Sequence, residues 1–353
     1  MLIITIVAFL GVLVVLIIAH ELGHFVTAQV SGVRVEEFGL GFPPRVLSIR
    51  RGETLYSLNA IPLGGFVKMA GEEDPKVLKS LASKSIGTRL LVLSSGSLMN
   101  LLLPLLLFSI AFMIPHNLVT GLVTVEEVTL NSPAAIAGIE SGDVFLRVSG
   151  KPVNNIGDLH RYIQLNLGKE IDILVEHRDS TTEDIRAIPR WQPPEDQGAI
   201  GVRVKTVNPT VISQHEPLWK AIPLGVIACI ETFVLFKNGI VSMFIGTTPM
   251  ALAGPVGIAQ LTGEVAKTGI SPLLEFAAFL SINLAIINIF PLPALDGGRI
   301  VFVLLEGIRR GRRVPAKTER LVHFIGFVML MAAMLAITFQ DILRIISGES
   351  LIP

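Results

Sequence analysis

An unbroken apolar run, Leu2 to Ala19 with Thr5 its one polar residue, passes without a turn signal into His20-Glu21-Leu22-Gly23-His24. At about 1.5 Å per helical residue the run covers most of a bilayer core. Ionisable groups that continue directly from such a segment are expensive in hydrocarbon and mark a functional site. On a helix, positions four apart share a face, so both imidazoles can reach one metal ion while Glu21 lies close to water bound there. A soluble helix with two histidines and a glutamate on a solvated face gives the same short pattern. The apolar run makes that reading the poorer one. A removed leader is also the poorer account, because the start is not basic, the run is too long and no small-residue cleavage site precedes the charged pattern.

The rest of the chain agrees with a membrane protein: of 353 residues, 51% are hydrophobic and 16% charged, too apolar for an ordinary soluble enzyme. The formal net charge is +0, and without a basic excess nucleic-acid binding is not expected. The single cysteine, Cys229, sits in an apolar stretch and reads as a small core residue.

Four apolar stretches read as spans, and the expected fold class is a polytopic α-helical membrane protein of about four transmembrane helices. The expected divisions are 1–30 (first span), 31–89 (a membrane-associated β-hairpin region rich in glycine and proline turns), 90–115 (second span), 116–206 (an α+β domain), 207–272 (interfacial helices and loop), 273–308 (an interrupted third span), 309–320 (a basic loop), 321–340 (fourth span) and 341–353 (tail). Lysine and arginine concentrate in the first loop, from Arg34 to Arg89, and again from Arg309 to Arg320. Both loops are expected to face the cytoplasm, with 115–272 and both termini outside. Residues 218–245 are apolar enough to imitate a fifth span, but a crossing there would split the two basic loops between opposite sides. They are therefore expected to be interfacial or packed helices, interrupted near Pro223 and carrying Glu231 and Lys237.

A catalytic zinc takes three protein ligands and keeps one position open, so a third ligand is needed. Asp296 is the candidate: it lies in Asn288-Ile-Phe-Pro-Leu-Pro-Ala-Leu-Asp-Gly-Gly, inside an apolar stretch that Pro291 and Pro293 must distort. Irregular backbone at that depth lines a cavity or is buried in protein. The alternative is that Asp296 caps the following helix. His116, His160, His177 and His215 read as surface residues of the outside segment, and His323 as a packed or interfacial residue.

Taken together, the chain resembles the site-2 proteases of peptidase family M50, in the bacterial regulator-of-sigma-E branch that carries a PDZ domain. The resemblance rests on His20 to His24, the Asn288 to Gly297 segment, Gly64-Gly65-Phe66, Gly254-Pro-Val-Gly, and a PDZ-like stretch with Asn131-Ser-Pro-Ala-Ala leading to Gly138 and Gly142-Asp143. One PDZ-like insert is legible, where members of the best-known bacterial branch have two. The resemblance implies Zn²⁺ held by His20, His24 and Asp296, with Glu21 as general base and then proton donor. It implies substrate contacts at Asn288, Gly64, Gly65 and Phe66, although Asn288 serves equally well to bond the free backbone groups of a broken helix. The strands between the first two spans are expected to hold an unwound substrate by strand addition. The implied function is intramembrane metalloendopeptidase action in a bacterial plasma membrane. Its expected partners are single-span membrane proteins, such as trimmed anti-sigma factors or remnant signal peptides, the lipid bilayer, and a peptide ligand for an extracytoplasmic PDZ domain. A metal transporter and an inactive PDZ scaffold are the competing classes; neither requires Glu21 beside the histidines.

Overall fold

The computed structural model describes residues 2–194, 196–246 and 253–347; residues 247–252, in the segment expected outside, and 348–353, in the expected tail, lie outside the described residues. In chain order the elements are α1 (Leu2–Val30), β1 (Val35–Arg51), β2 (Thr54–Met69), α2 (Ile86–Met113), β3 (His116–Val128), α3 (Pro133–Ile136), β4 (Val144–Val148), β5 (Lys151–Pro152), α4 (Ile156–Leu165), β6 (Ile171–Glu176), β7 (Thr182–Ala187), β8 (Val202–Gln214), α5 (Leu218–Phe244), α6 (Pro255–Thr268), α7 (Ile270–Ile289), α8 (Asp296–Ile308) and α9 (Ala316–Ser347). They divide into two compact units.

The first unit holds α1, the β1–β2 hairpin, α2, residues 221–226 and everything from α6 onward. Its hairpin is folded back on itself: Gly39 pairs with Phe66 on one side and with Ser57 on the other, while Ser48 also pairs with Ser57. Gly65 to Met69 therefore pair with β1 along one side, and the pairing leaves them at an edge of the sheet. The hairpin is fastened to α1 by aromatic packing, with Phe25 meeting Phe38 at 5.4 Å and Tyr56 at 5.9 Å between ring centroids. Phe25 follows His24 directly, so the packing that seats the sheet also sets it beside the histidines. The expected interruption of the third apolar stretch is present, as α7 ends at Ile289 and α8 begins at Asp296. Proline at 291 and 293 cannot supply helical N–H groups, which accounts for the break.

Two expectations need correction. Residues 218–245 were expected to be broken near Pro223, yet α5 is one helix of 27 residues that runs through it. Pro223 is the sixth residue of α5, so it forgoes the one intrahelical bond its N–H would have made to Trp219, and the helix continues through it. Likewise α9 passes the expected end at 340 and reaches Ser347. The reason is Asp341, fully buried, which accepts the Gly257 N–H of α6 at 2.8 Å and pairs with Arg344 at 2.7 Å. Among the described residues, 5 helices (α1, α2, α5, α7 and α9) are by length and composition able to cross a membrane.

The second unit comprises residues 112–220 together with the later part of α5. Its sheet runs β7-β6-β4-β3-β8, with β5 beside β4. Phe145, Ile173, Val123 and Val125 are among its fully buried core side chains, and Leu159 and Ile163 of α4 close the core. Its short helix α3 starts where the sequence places Ser132, whose hydroxyl accepts the Ala135 N–H at 3.1 Å as an N-cap.

Candidate metal centre

Helix α1 places His20 and His24 one turn apart, as a spacing of four dictates. Their Nε2 atoms are 3.3 Å from each other, and each is 3.1 Å from Oδ2 of Asp296, the first residue of α8. These three donors are the described group able to hold a metal ion. Tetrahedral zinc bound at about 2.0–2.1 Å separates its ligand atoms by roughly 3.3 Å, so the triangle fits that ion. The chemistry of the donors argues the same way. His24 Nδ1 donates to the Val92 carbonyl at 2.8 Å, which leaves a lone pair on Nε2 facing the carboxylate oxygen. Two acceptors at that distance repel each other unless a cation or proton lies between them.

Helix α2 approaches this triangle more closely than side chains would allow. A Cβ on Gly96 would run into His24 Nε2 and would meet the His20 ring at 2.7 Å. The same contact is tied by Thr27 and Ser95, whose hydroxyls lie 2.7 Å apart, a hydrogen bond between small polar residues of adjacent apolar helices. On the opposite side, a Cβ on Gly65 would meet Glu21 Cγ at 2.8 Å. The edge strand thus passes against the glutamate with no room for a side chain. A cavity of about 350 Å³ opens here, lined by His20, Glu21, His24, Gly65, Phe66 and Asp296, with Lys68, Glu72 and Arg299 at its charged end.

Among the other residues singled out from sequence, Asn288 lies with its side-chain nitrogen 3.5 Å from His20 Nδ1. It meets a histidine of the triangle and is not among the residues lining the cavity. Gly64 also stays out of the lining; a Cβ there would meet the Phe42 ring at 2.7 Å, so its place is in packing the hairpin. His323 stays outside the donor group and instead accepts the Ala294 N–H on Nδ1 at 3.0 Å. Ala294 has φ of 77°, a conformation that strains any residue with a side chain and clusters at functional sites. Sequence reasoning missed Gly96, Arg299, Glu72 and the Val92 carbonyl. Arg299 carried the one available signal, a cation three positions beyond Asp296 on the same helix; the small residues Ser95-Gly96-Ser97 within an apolar span hinted at close helix packing.

Family and relatives close the identification. The model of peptidase family M50 matches residues 8–333. A protein of Clostridium acetobutylicum with the provisional name zinc metalloprotease is 35% identical over 337 residues, covering 93% of this chain and 94% of its own. The regulator of sigma-W protease RasP of Bacillus subtilis is 28% identical over 429 residues, covering 97% of this chain and 99% of its own. The zinc metalloprotease RasP of Geobacillus kaustophilus is 29% identical over 425 residues, with 96% and 97% covered. The chain belongs to peptidase family M50. It is a zinc metalloprotease and a membrane protein with apolar helices long enough to span.

Proposed function

We propose that this enzyme cleaves single-span membrane proteins within or beside the bilayer, with His20, His24 and Asp296 as zinc ligands and Glu21 as the proton carrier. The observation that carries the reading is the donor triangle itself, built where an apolar helix and a broken apolar helix meet next to an unpaired strand edge. Bound zinc supplies a Lewis acid that polarises the scissile carbonyl and lowers the pKa of water. Glu21 takes the proton of the attacking water and later returns it to the leaving amine. The Gly65–Met69 edge adds to an unwound stretch of substrate, and Gly65 lets that stretch lie close to Glu21. Asn288 orients the His20 ring, with its amide turned so that its oxygen accepts from Nδ1–H and Nε2 keeps its lone pair for the metal.

The name of the Bacillus relative as a regulator of sigma-W protease points to trimmed anti-sigma factors as one substrate class; remnant signal peptides are the other. The same membranes expressing wild type and Glu21→Gln provide the test. Single-span fragments should accumulate with the variant and vanish with wild type. Equal fragment patterns in both would reject the reading.

The second unit acts as a PDZ domain on the outer face of a bacterial plasma membrane, in this proposal, and α5 lies along it without crossing. Three polar contacts spaced seven residues apart support that placement. Glu231 pairs with Lys151 and, at 2.7 Å, with Arg161; Asn238 donates to the Gln164 carbonyl at 2.7 Å; and the Ile245 carbonyl accepts from Gln192 at 3.2 Å. A spacing of seven keeps one helix face in register. About 21 Å of α5 then runs beside a polar domain, where hydrocarbon has no place.

A further inference from the structure

A second cavity, of about 150 Å³, adjoins the metal cavity and shares Glu72, Leu93 and Arg299 with it. The shared pair has a division of labour between its oxygens. Glu72 Oε1 accepts the N–H of Met69, the last residue of β2, at 3.0 Å. Its other oxygen, Oε2, accepts from Arg299 Nη1 at 2.7 Å. Arg299 stands three residues after Asp296 on α8. One carboxylate therefore grips the end of the edge strand with one oxygen and the helix that begins with a metal donor with the other.

Stability gives little reason for such a pair. The Arg299 side chain is 46% and that of Glu72 25% exposed, and both line the two cavities; ion pairs with that much exposure contribute little net stabilisation. Geometry gives a better one. Strand addition fixes where a peptide lies relative to Gly65–Met69 but says nothing of where that edge lies relative to the metal donors. Neighbouring Glu73 pairs with Arg320 of α9 at 3.2 Å, so the turn that follows β2 is fastened on two sides.

We propose that Glu72 and Arg299 are a positioning pair, which holds the Gly65–Met69 edge at a fixed offset from Asp296 so that a peptide on that edge presents its carbonyl at the metal centre. This rests on the protease reading above. Misplacement of a bound substrate by about 1 Å costs roughly 100-fold in rate. In the zinc-loaded full-length enzyme acting on a single-span substrate, Glu72→Gln and Arg299→Met should each lower kcat by roughly 10- to 100-fold with KM changed far less. Zinc content should stay at the wild-type level. The double variant should be no worse than either single one, because both break the same contact. Arg299→Lys, which keeps a cationic donor for Oε2, should recover most of the activity.

A labelling arm needs no activity: Lys68→Cys in a Cys229→Ser, Glu21→Gln background should react several-fold faster with a thiol reagent once Arg299→Met is added. Multiplying losses in the double variant, or a large loss for Arg299→Met beside a mild one for Glu72→Gln, would overturn the proposal and make Arg299 a direct substrate contact. An unchanged labelling rate would overturn it as well. Failure of wild type to cleave any single-span substrate would instead count against the protease reading, and the labelling result would still stand for or against the pair.

Discussion

At the residue scale, the proposed centre separates the groups assigned to hold an ion from the one assigned to move a proton. His20→Ala, His24→Ala and Asp296→Ala each delete a donor atom of the triangle. Residues that merely orient ligands are worth about 10- to 100-fold in metal affinity, so losing a ligand should cost at least roughly 100-fold. Zinc content after gel filtration reads this directly, and full occupancy in Asp296→Ala would remove that residue from the ligand set. Glu21→Gln should keep its zinc and lower kcat by about 10²- to 10⁴-fold, the usual worth of a general base. Gly96 makes a sharper prediction because its role is the absence of a side chain. The methyl of Gly96→Ala would occupy space now taken by the two imidazoles, so overpacking of about 1–3 kcal/mol should appear together with weakened zinc retention. A Gly96→Ala enzyme with wild-type zinc affinity would show that α2 yields at that point.

Elements were legible in proportion to how local their causes are. The long apolar helices and the break made by Pro291 and Pro293 follow from patterns within a few residues. The course of α5 through Pro223 and the extension of α9 did not, since the latter depends on a contact between Asp341 and Gly257, far apart in sequence. The Glu72–Arg299 pair spans 227 positions, and although Arg299 stands out beside Asp296, nothing local to either residue names the other as its partner. The two histidines, Glu21 and Asp296 could be singled out because ionisable residues stand out against hydrocarbon. Gly96 could not, because small residues in an apolar span signal close helix packing without saying what is packed against them.

One element contact also carries a pH dependence. His177, just after β6, lies 2.9 Å from the buried Asp143 carboxylate and 3.1 Å from Glu183 of β7. Its pKa is raised above the usual 6.5, chiefly by the hydrogen bond to Asp143 and then by that to Glu183. A raised folded-state value means that the protonated form stabilises the fold. The contribution is fully present below about pH 6.5 and is lost as pH rises through the folded-state value. Hydrogen exchange at β6–β7 amides of the full chain should quicken, beyond the intrinsic base-catalysed rise, as pH is raised above about 6.5 and this proton leaves. In His177→Gln that extra rise should be absent; an identical rise would assign the effect elsewhere.

For the whole molecule, the proposed topology makes the two basic loops a matched pair. Single cysteines near Arg50 and Arg312, in a Cys229→Ser background, should both resist an impermeant thiol reagent added outside, and one near Asn154 should react. Opposite results at the two loops would make α5 a true crossing. If the second unit only screens out substrates with bulky outer domains, it is dispensable for chemistry. Excising it should leave zinc bound and short-tailed substrates cleaved, and should newly admit the same span carrying a folded outer domain. Loss of cleavage of the short-tailed substrate, with zinc still bound, would favour capture of a carboxyl terminus by strand addition.

The donor triangle joins His24 to Asp296 across 272 positions of the chain. Translation at about 5–20 residues per second puts roughly 15 to 50 s between the emergence of the first donors and the last. Throughout that interval the nascent polypeptide has its histidines and its glutamate but not Asp296, and so, with the proposed ligand set, no hydrolytic competence. The order of the segments along the gene thus works as a timer. The enzyme becomes able to cut only after nearly all of its own apolar helices have been made, when they have partners to pack against and are no longer lone, easily unwound spans like those it is proposed to destroy.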